Sequence, residues 1–247
     1  MNSNPQDGTS VKKYGLAFHT ATPELGLAIS NFAGDSRCQT WNLGRSLATD
    51  LHQHLVEFIQ PQTWADLAFI AVAKGPGGFT GTRMGMVTAR TLAQQLDIPV
   101  FAISTLAAVA WAAPPQPPVA KEGLLSAEPP QASEGLLSAE PPQASEGLLS
   151  IALQMPAQRG QLFGAVYSVN SNSGLTELFP DTVMTPESRQ EKLESWENFY
   201  QLIEVGSELG WSVSSVLELA YLEWKQGSRP DWSGALPYYG QHPVKGH

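Results

Sequence analysis

Apolar and polar positions fall into short, regular blocks over the first 112 residues. Residues 14–18 and 25–31 are two apolar runs joined by the polar stretch 20–24, the pattern of two hairpin strands. Across 45–59, Leu47, Leu51, Leu55 and Phe58 or Ile59 recur at helical spacing and predict an amphipathic helix. Residues 68–73 form a continuous apolar run, a buried strand. A glycine-rich turn follows, and then a helical pattern over 82–96 that stops before Pro99. A strand over 100–103 and a short helix over 105–112 complete this block. Past residue 147 the pattern resumes, with strands over 148–153 and 162–169 and a polar turn over 170–174. A mixed helix and loop region over 186–201 and a helix over 213–225 follow. Two runs of strands followed by helices predict an α/β chain.

Between the blocks the composition changes. Pro114-Pro-Gln-Pro-Pro118 opens a proline-rich stretch. Residues 122–133, Glu-Gly-Leu-Leu-Ser-Ala-Glu-Pro-Pro-Gln-Ala-Ser, recur unchanged at 134–145, and a third copy begins at 146–150 before diverging. Two full copies are too few for a solenoid, and paired prolines break helix and central strand alike. The repeat is read as a tandem duplication in a surface loop, with a proline-rich docking segment as the alternative. The expected organisation is therefore a disordered tail over 1–10 and an N-terminal lobe over 11–112. A linker over 113–147 and a second lobe with the C-terminal helix and tail over 148–247 follow.

The 247 residues, 42% hydrophobic and including seven tryptophans, can bury a sizeable core. A formal net charge of −9 makes the chain a poor solitary binder of tRNA, because cationic side chains supply most nonspecific affinity for phosphates. Cys38 is the only cysteine, so no intrachain disulfide forms. Residues 1–10 lack the apolar core of a secretory signal, and no uncharged apolar run approaches membrane-spanning length. The chain is expected to be soluble and cytoplasmic.

Candidate chemistry centres on Gly75, Pro76, Gly77, Gly78, Phe79, Thr80, Gly81, Thr82 and Arg83, placed between a strand and a helix. Glycine lets backbone approach closely there, and free N–H groups at a helix start favour anions. A Walker loop needs Gly-Lys-Ser/Thr where Gly81-Thr-Arg83 stands, and the dinucleotide fingerprint needs glycine at Thr80. Generic phosphate motifs are thus excluded. His52 and His54 are two apart and point to different sides of their helix, so they make no zinc pair. Gly85, Ala89 and Ala93 form a small-residue line that allows close helix approach. It serves equally as core packing or as a docking face.

The nine-residue loop resembles the Gly-Pro-Gly-Ser-Phe-Thr-Gly-Leu-Arg signature of the TsaB (YeaZ) family. That family provides an accessory subunit for threonylcarbamoyladenosine modification of tRNA in bacteria. Phe18-His-Thr-Ala-Thr22 is similar to the family's Leu-Asp-Thr-Ser-Thr, and Arg45-Ser46 stands where it often has His-Ser. Leu96-Asp-Ile-Pro-Val-Phe-Ala-Ile-Ser-Thr-Leu106 and Ala235-Leu-Pro-Tyr-Tyr239 match further family segments. The resemblance is dense over 14–110, thin after 151, and returns at the end.

The resemblance implies a two-lobed, actin-like ATPase fold of the acetate/sugar kinase–actin type, with a long disordered insertion between the lobes. It implies a non-catalytic scaffold that pairs with TsaD, with TsaE as a further partner, a homodimer as an option, and tRNA met only through the complex. The complex moves a threonylcarbamoyl group from its adenylate onto the adenosine beside the anticodon. Leu47, Leu51, Leu55, Gly85, Ala89 and Ala93 become the expected partner interface, and the glycine loop is structural or nucleotide-proximal.

No catalytic residue, metal or cofactor is expected. His19 stands where the family has Asp, and imidazole cannot supply the carboxylate oxygens magnesium prefers. It is read as a turn histidine bonded to backbone. The His-x-x-x-His metal motif of TsaD is missing. Pro156 and Gln161 replace the acidic residues of the second-lobe turn. An actin-like nucleotide-dependent ATPase or phosphotransferase is the alternative function, and a metallopeptidase a third.

Overall fold

A computed structural model describes residues 13–113, 150–170, 174–196 and 200–240. The expected 1–10 tail, the tandem repeat and nearly all of the 113–147 linker lie outside the described residues. The chain forms two compact units, residues 1–108 with 207–239, and residues 109–206 with 240–247.

The first unit is built on a five-stranded sheet in the order β3-β2-β1-β4-β5. β1 (Tyr14–His19), β2 (Glu24–Ser30) and β3 (Ser36–Asn42) run antiparallel. β4 (Leu67–Ala73) and β5 (Val100–Ile103) lie parallel to β1. Strand alternation sends Leu16, Phe18, Leu25, Leu27, Ile29, Ile70 and Val72 to one face. There they pack against α1 (Leu47–Phe58) and α2 (Phe79–Leu96) through Leu47, Leu51, Leu55, Met86, Ala89 and Ala93. The other face is covered by α5 (Val213–Lys225), which packs on β1, β2 and β4.

Two helix ends have identifiable caps. α2 stops at Asp97, whose left-handed backbone (φ 53°) lets its N–H reach the Ala93 carbonyl. At the end of α1, the Arg37 guanidinium donates to the carbonyls of Phe58, Ile59 and Gln60 at 2.7–2.9 Å, satisfying acceptors the helix leaves open.

The second unit holds a four-stranded sheet in the order β8-β7-β6-β9. β6 (Ser150–Pro156), β7 (Leu162–Asn170) and β8 (Gly174–Met184) are antiparallel, and β9 (Tyr200–Glu204) is parallel to β6. α4 (Pro186–Glu194) places Leu193 against Ala152 and Val166. Its start follows cap chemistry: Thr185 Oγ1 accepts the Ser188 N–H at 3.2 Å, and Pro186 opens the helix. α3 (Thr105–Ala112) carries the chain from the first unit to the second.

The α/β, two-sheet architecture is the expected one. Residues 207–239, however, return to the first unit rather than belonging to the second lobe, because the apolar side of α5 is buried on the first sheet. Three strands escape the sequence pattern. β3 is an exposed edge with polar residues at most positions. β8 carries Pro180 and charged residues and shifts register twice against β7. β9 is five residues long and begins at the end of the region read as helix and loop, running on into a stretch given no element.

Candidate functional site

The glycine loop leaves the buried end of β4 and becomes α2 three residues earlier than the apolar pattern suggests. Gly78 is the N-cap in extended conformation, so Phe79, Thr80 and Gly81 already form the first helical turn. What surrounds the loop is the chain's own backbone. The Gly78 N–H donates to the Ala21 carbonyl at 2.7 Å, and Thr20 Oγ1 donates to the Gly81 carbonyl at 2.8 Å. The Gly75 carbonyl accepts the Thr105 N–H at 2.8 Å, and the Lys74 carbonyl accepts the Tyr238 N–H at 2.7 Å.

The glycines follow from this crowding. A Cβ on Gly77 would strike the Ala21 carbonyl, and one on Gly81 the Thr20 carbonyl. On Gly85 it would strike Thr20 Oγ1. Gly81 and Gly85, four residues apart, stand in one row of α2, and Gly77 just before the helix continues the contact, so the β1–β2 turn lies against bare backbone at all three. Gly75 adds a positive φ of 99° and a Cβ direction blocked by the Tyr238 carbonyl. Gly78 is the exception: a Cβ there meets only the Ala21 carbonyl, at 3.6 Å.

The row is a latch between the β1–β2 turn and α2. The Ala21 carbonyl sits on the Gly78 N–H, one of the donors an anion at the helix start would use. Pro76 is buried inside the latch, while Thr80 and Arg83 are exposed. Phe79, 44% exposed, stacks on Tyr239 with ring centroids 4.5 Å apart.

The six residues expected to form a partner interface are placed differently. Leu47, Leu51, Leu55, Ala89 and Ala93 are buried in the first unit's core, and Gly85 is buried against Thr20. The leucine stripe and the small-residue line face the sheet, because those are the sides α1 and α2 must bury. Ala89→Leu is therefore expected to overpack the core, lowering stability by about 1–3 kcal/mol in thermal melts of the isolated chain.

The exposed side of α2 instead carries Phe79, Arg83 and Val87 at four-residue steps, and Val87 is 55% exposed. On the neighbouring α1, Val56 is also exposed. A valine among arginines and threonines is the signal the small-residue line obscured.

His19 ends β1, fully buried, and neither ring nitrogen has a hydrogen-bond partner. It is not the backbone-bonded turn residue expected. Burial alone lowers its pKa from 6.5 to about 4, so the imidazole is neutral near pH 7. His54 is half-buried, its ring tilted against Trp41 with centroids 4.6 Å apart, and His52 is exposed. Cys38 lies exposed on edge strand β3, and partial burial of its sulfur holds the thiol above its usual value. Pro156 and Gln161 bracket the tight β6–β7 turn. Among the described residues no three His, Cys, Asp or Glu side chains are grouped to hold a metal ion. No helix among them is long and apolar enough to cross a membrane.

Comparison with known proteins adds the following. The family model described as TsaD, tRNA N6-adenosine threonylcarbamoyltransferase, matches residues 55–123. The tRNA threonylcarbamoyladenosine biosynthesis protein TsaB of Bacillus subtilis (strain 168) is 56% identical over 45 residues, 18% of this chain and 20% of that protein. The TsaB of Buchnera aphidicola subsp. Schizaphis graminum is 48% identical over 48 residues, 19% of this chain and 23% of that protein. The matched part of the chain thus spans about a fifth of the length of these curated relatives. A crystal structure of a Pseudomonas aeruginosa protein described as similar to the peptidase YEAZ superposes with a TM-score of 0.64 at 18% identity. It covers 93% of this chain and 100% of that one. YeaZ from Pseudomonas aeruginosa superposes with a TM-score of 0.62 at 18% identity, over 92% of this chain and 100% of that one. These superpositions show a shared fold.

Proposed function

We propose, from the TsaB (YeaZ) family assignment that the sequence relatives and structural neighbours support, that this chain is an accessory subunit in threonylcarbamoyladenosine biosynthesis on tRNA. It acts in the cytoplasm by pairing with TsaD and performs no transfer itself. TsaE joins the assembly, a second copy of the chain is an alternative mate, and tRNA is met through the complex. The net charge of −9 supports that last point, since an acidic chain gains little from phosphates.

One observation carries the reading. The glycine loop is filled by the chain's own Thr20, Ala21 and Tyr238 backbone, so its glycines fix the position of α2 rather than cradle a phosphate. A rigidly placed α2 with an outward row of Phe79, Arg83 and Val87 is suited to docking. The partner's identity is supported by the TsaD family match over 55–123, which takes in the end of α1 and all of α2. Related chains bringing the same helices together can pair about a two-fold-like axis.

The test is capture of TsaD from the same cell by the tagged chain. Val87→Asp places a charge on the outer row without touching the core. It is expected to weaken capture at least ten-fold while the melting temperature stays within about 2 °C, no more than the shift of 1 kcal/mol in a chain of this size. Unchanged capture by Val87→Asp, or threonylcarbamoyl transfer by the purified chain without TsaD, overturns the reading.

A further inference from the structure

β3 is the outermost strand of the first sheet, and no described strand pairs with its outer side. Its inner side makes a ladder with β2 that runs from Ser36 to Asn42 without a register shift. The other sheet edges are blunted. β5 and β9 are four and five residues long, and β8 carries Pro180 and two register shifts. β3 has seven residues, with no proline, no lysine and no bulge. Its one charged side chain, Arg37, is turned inward to the carbonyls at the end of α1. A regular edge of open N–H and C=O groups is a template for a further strand.

The charges around β3 select the strand that fits. Asp35 is exposed just before it, and Arg45 is exposed in the 3-10 turn just after it. A complementary strand carries its charges in the reverse order along the shared edge, and a second copy of β3 running antiparallel does so. Aligning the whole of both strands sets Gln39 opposite Gln39 of the second copy on a two-fold axis. Cys38 then faces Thr40, Ser36 faces Asn42, and Arg37 faces Trp41. Each Asp35 lies at the end of the ladder where the other copy brings its Arg45. No like charges stand opposite one another, and the exposed side chains of Ser36, Cys38, Thr40 and Asn42 share one face.

We propose that β3 pairs edge to edge with β3 of a second copy of this chain, joining two sheets into one across a two-fold axis. The outward row of α2 takes no part in this pairing, so each copy keeps the face proposed for TsaD.

Sedimentation of the full chain at increasing concentration is expected to show a monomer–dimer equilibrium. Cys38→Lys adds a charge to both edges beside the axis and is expected to raise the dimer dissociation constant about ten-fold or more. Arg45→Asp is expected to weaken the dimer too, most clearly at low salt. The axis is tested by moving the one cysteine of the chain. Directly opposed residues of an antiparallel pair have Cα atoms about 4.5–5.5 Å apart, within disulfide reach. Cys38→Ser/Gln39→Cys is therefore expected to give a covalent dimer on mild oxidation. Cys38→Ser/Gln226→Cys, with its thiol at the exposed end of α5, is expected to give none. A wild-type chain that sediments as a monomer at its highest soluble concentration overturns the proposal. So does a dimer that Cys38→Lys and Arg45→Asp both leave intact, or one in which Gln39→Cys cross-links no better than Gln226→Cys. Should Cys38→Lys lower the melting temperature, Arg45→Asp and the cross-link decide. TsaD capture by Cys38→Lys is expected to equal that of the wild type, and its loss would place TsaD on this edge and overturn the self-pairing.

Discussion

Gly81→Ala is expected to be among the most damaging single-methyl additions in this chain. Alanine at that position in α2 gains up to about 1 kcal/mol of helix propensity. Against that, the new Cβ meets the Thr20 carbonyl, a backbone atom at the end of β1 that cannot rotate away. Relieving the clash means lifting the first turn of α2 from the β1–β2 turn, which breaks the bonds from Thr20 Oγ1 and the Gly78 N–H. Overpacking costs about 1–3 kcal/mol, and each lost bond adds about 1 kcal/mol. A net loss of about 3 kcal/mol corresponds to a melting temperature lower by roughly 6–12 °C in a chain of this size. Gly78→Ser is the matched control. Its Cβ has room, and serine is a good N-cap, so stability should hold or rise by a few tenths of a kcal/mol. Equal losses from the two variants would refute the latch. Because the latch sets α2, Gly81→Ala should also weaken TsaD capture.

The second large effect is acid lability from His19. The folded chain holds it neutral with a pKa lowered from 6.5 to about 4 by burial. Between those values the unfolded chain binds a proton that the folded chain does not. Stability is therefore complete above pH 6.5 and falls as the pH drops toward 4. The loss is about 2 kcal/mol at pH 5 and about 3 kcal/mol once both states are protonated. Denaturant melts at pH 7.5 and pH 5 measure it. His19→Leu should flatten the profile across this interval, where exposed carboxylates remain mostly ionised. A wild-type chain equally stable at both pH values, or a His19→Leu chain with the same slope, would show that the imidazole is not the acid-sensitive group.

Both effects arise at the β1–β2 turn, a place the sequence marks only faintly. Thr20 and Ala21 are small residues in a polar stretch, and the family segment they match does not say what they touch. Their importance comes from what folds against them. The same holds for Tyr238, more than 150 residues downstream, whose carbonyl limits Gly75. A linear pattern reports that glycines are present. It cannot report which atoms press on them.

The sequence by itself determined the elements whose apolar period is strong. These are the amphipathic α1, the buried β4, the helices α2 and α5, and the turn over 74–78 that needs glycine. Hydrophobic periodicity is a local property, so these elements are legible without the fold. The sequence also carried the resemblance on which the proposed function rests. Tertiary structure decided the edge strand β3, which forms because β2 offers it a full ladder of hydrogen bonds despite its polar side chains. It decided that α5 and the residues after it return to the first unit, since only assembled sheets compete for an apolar helix face. It also decided the sense of the Gly85–Ala89–Ala93 line. Small residues permit close approach to any surface, and the sheet of the same chain claims that approach before a partner can. What remains for the proposed docking face is side chains such as Val87 that the chain's own core does not reach.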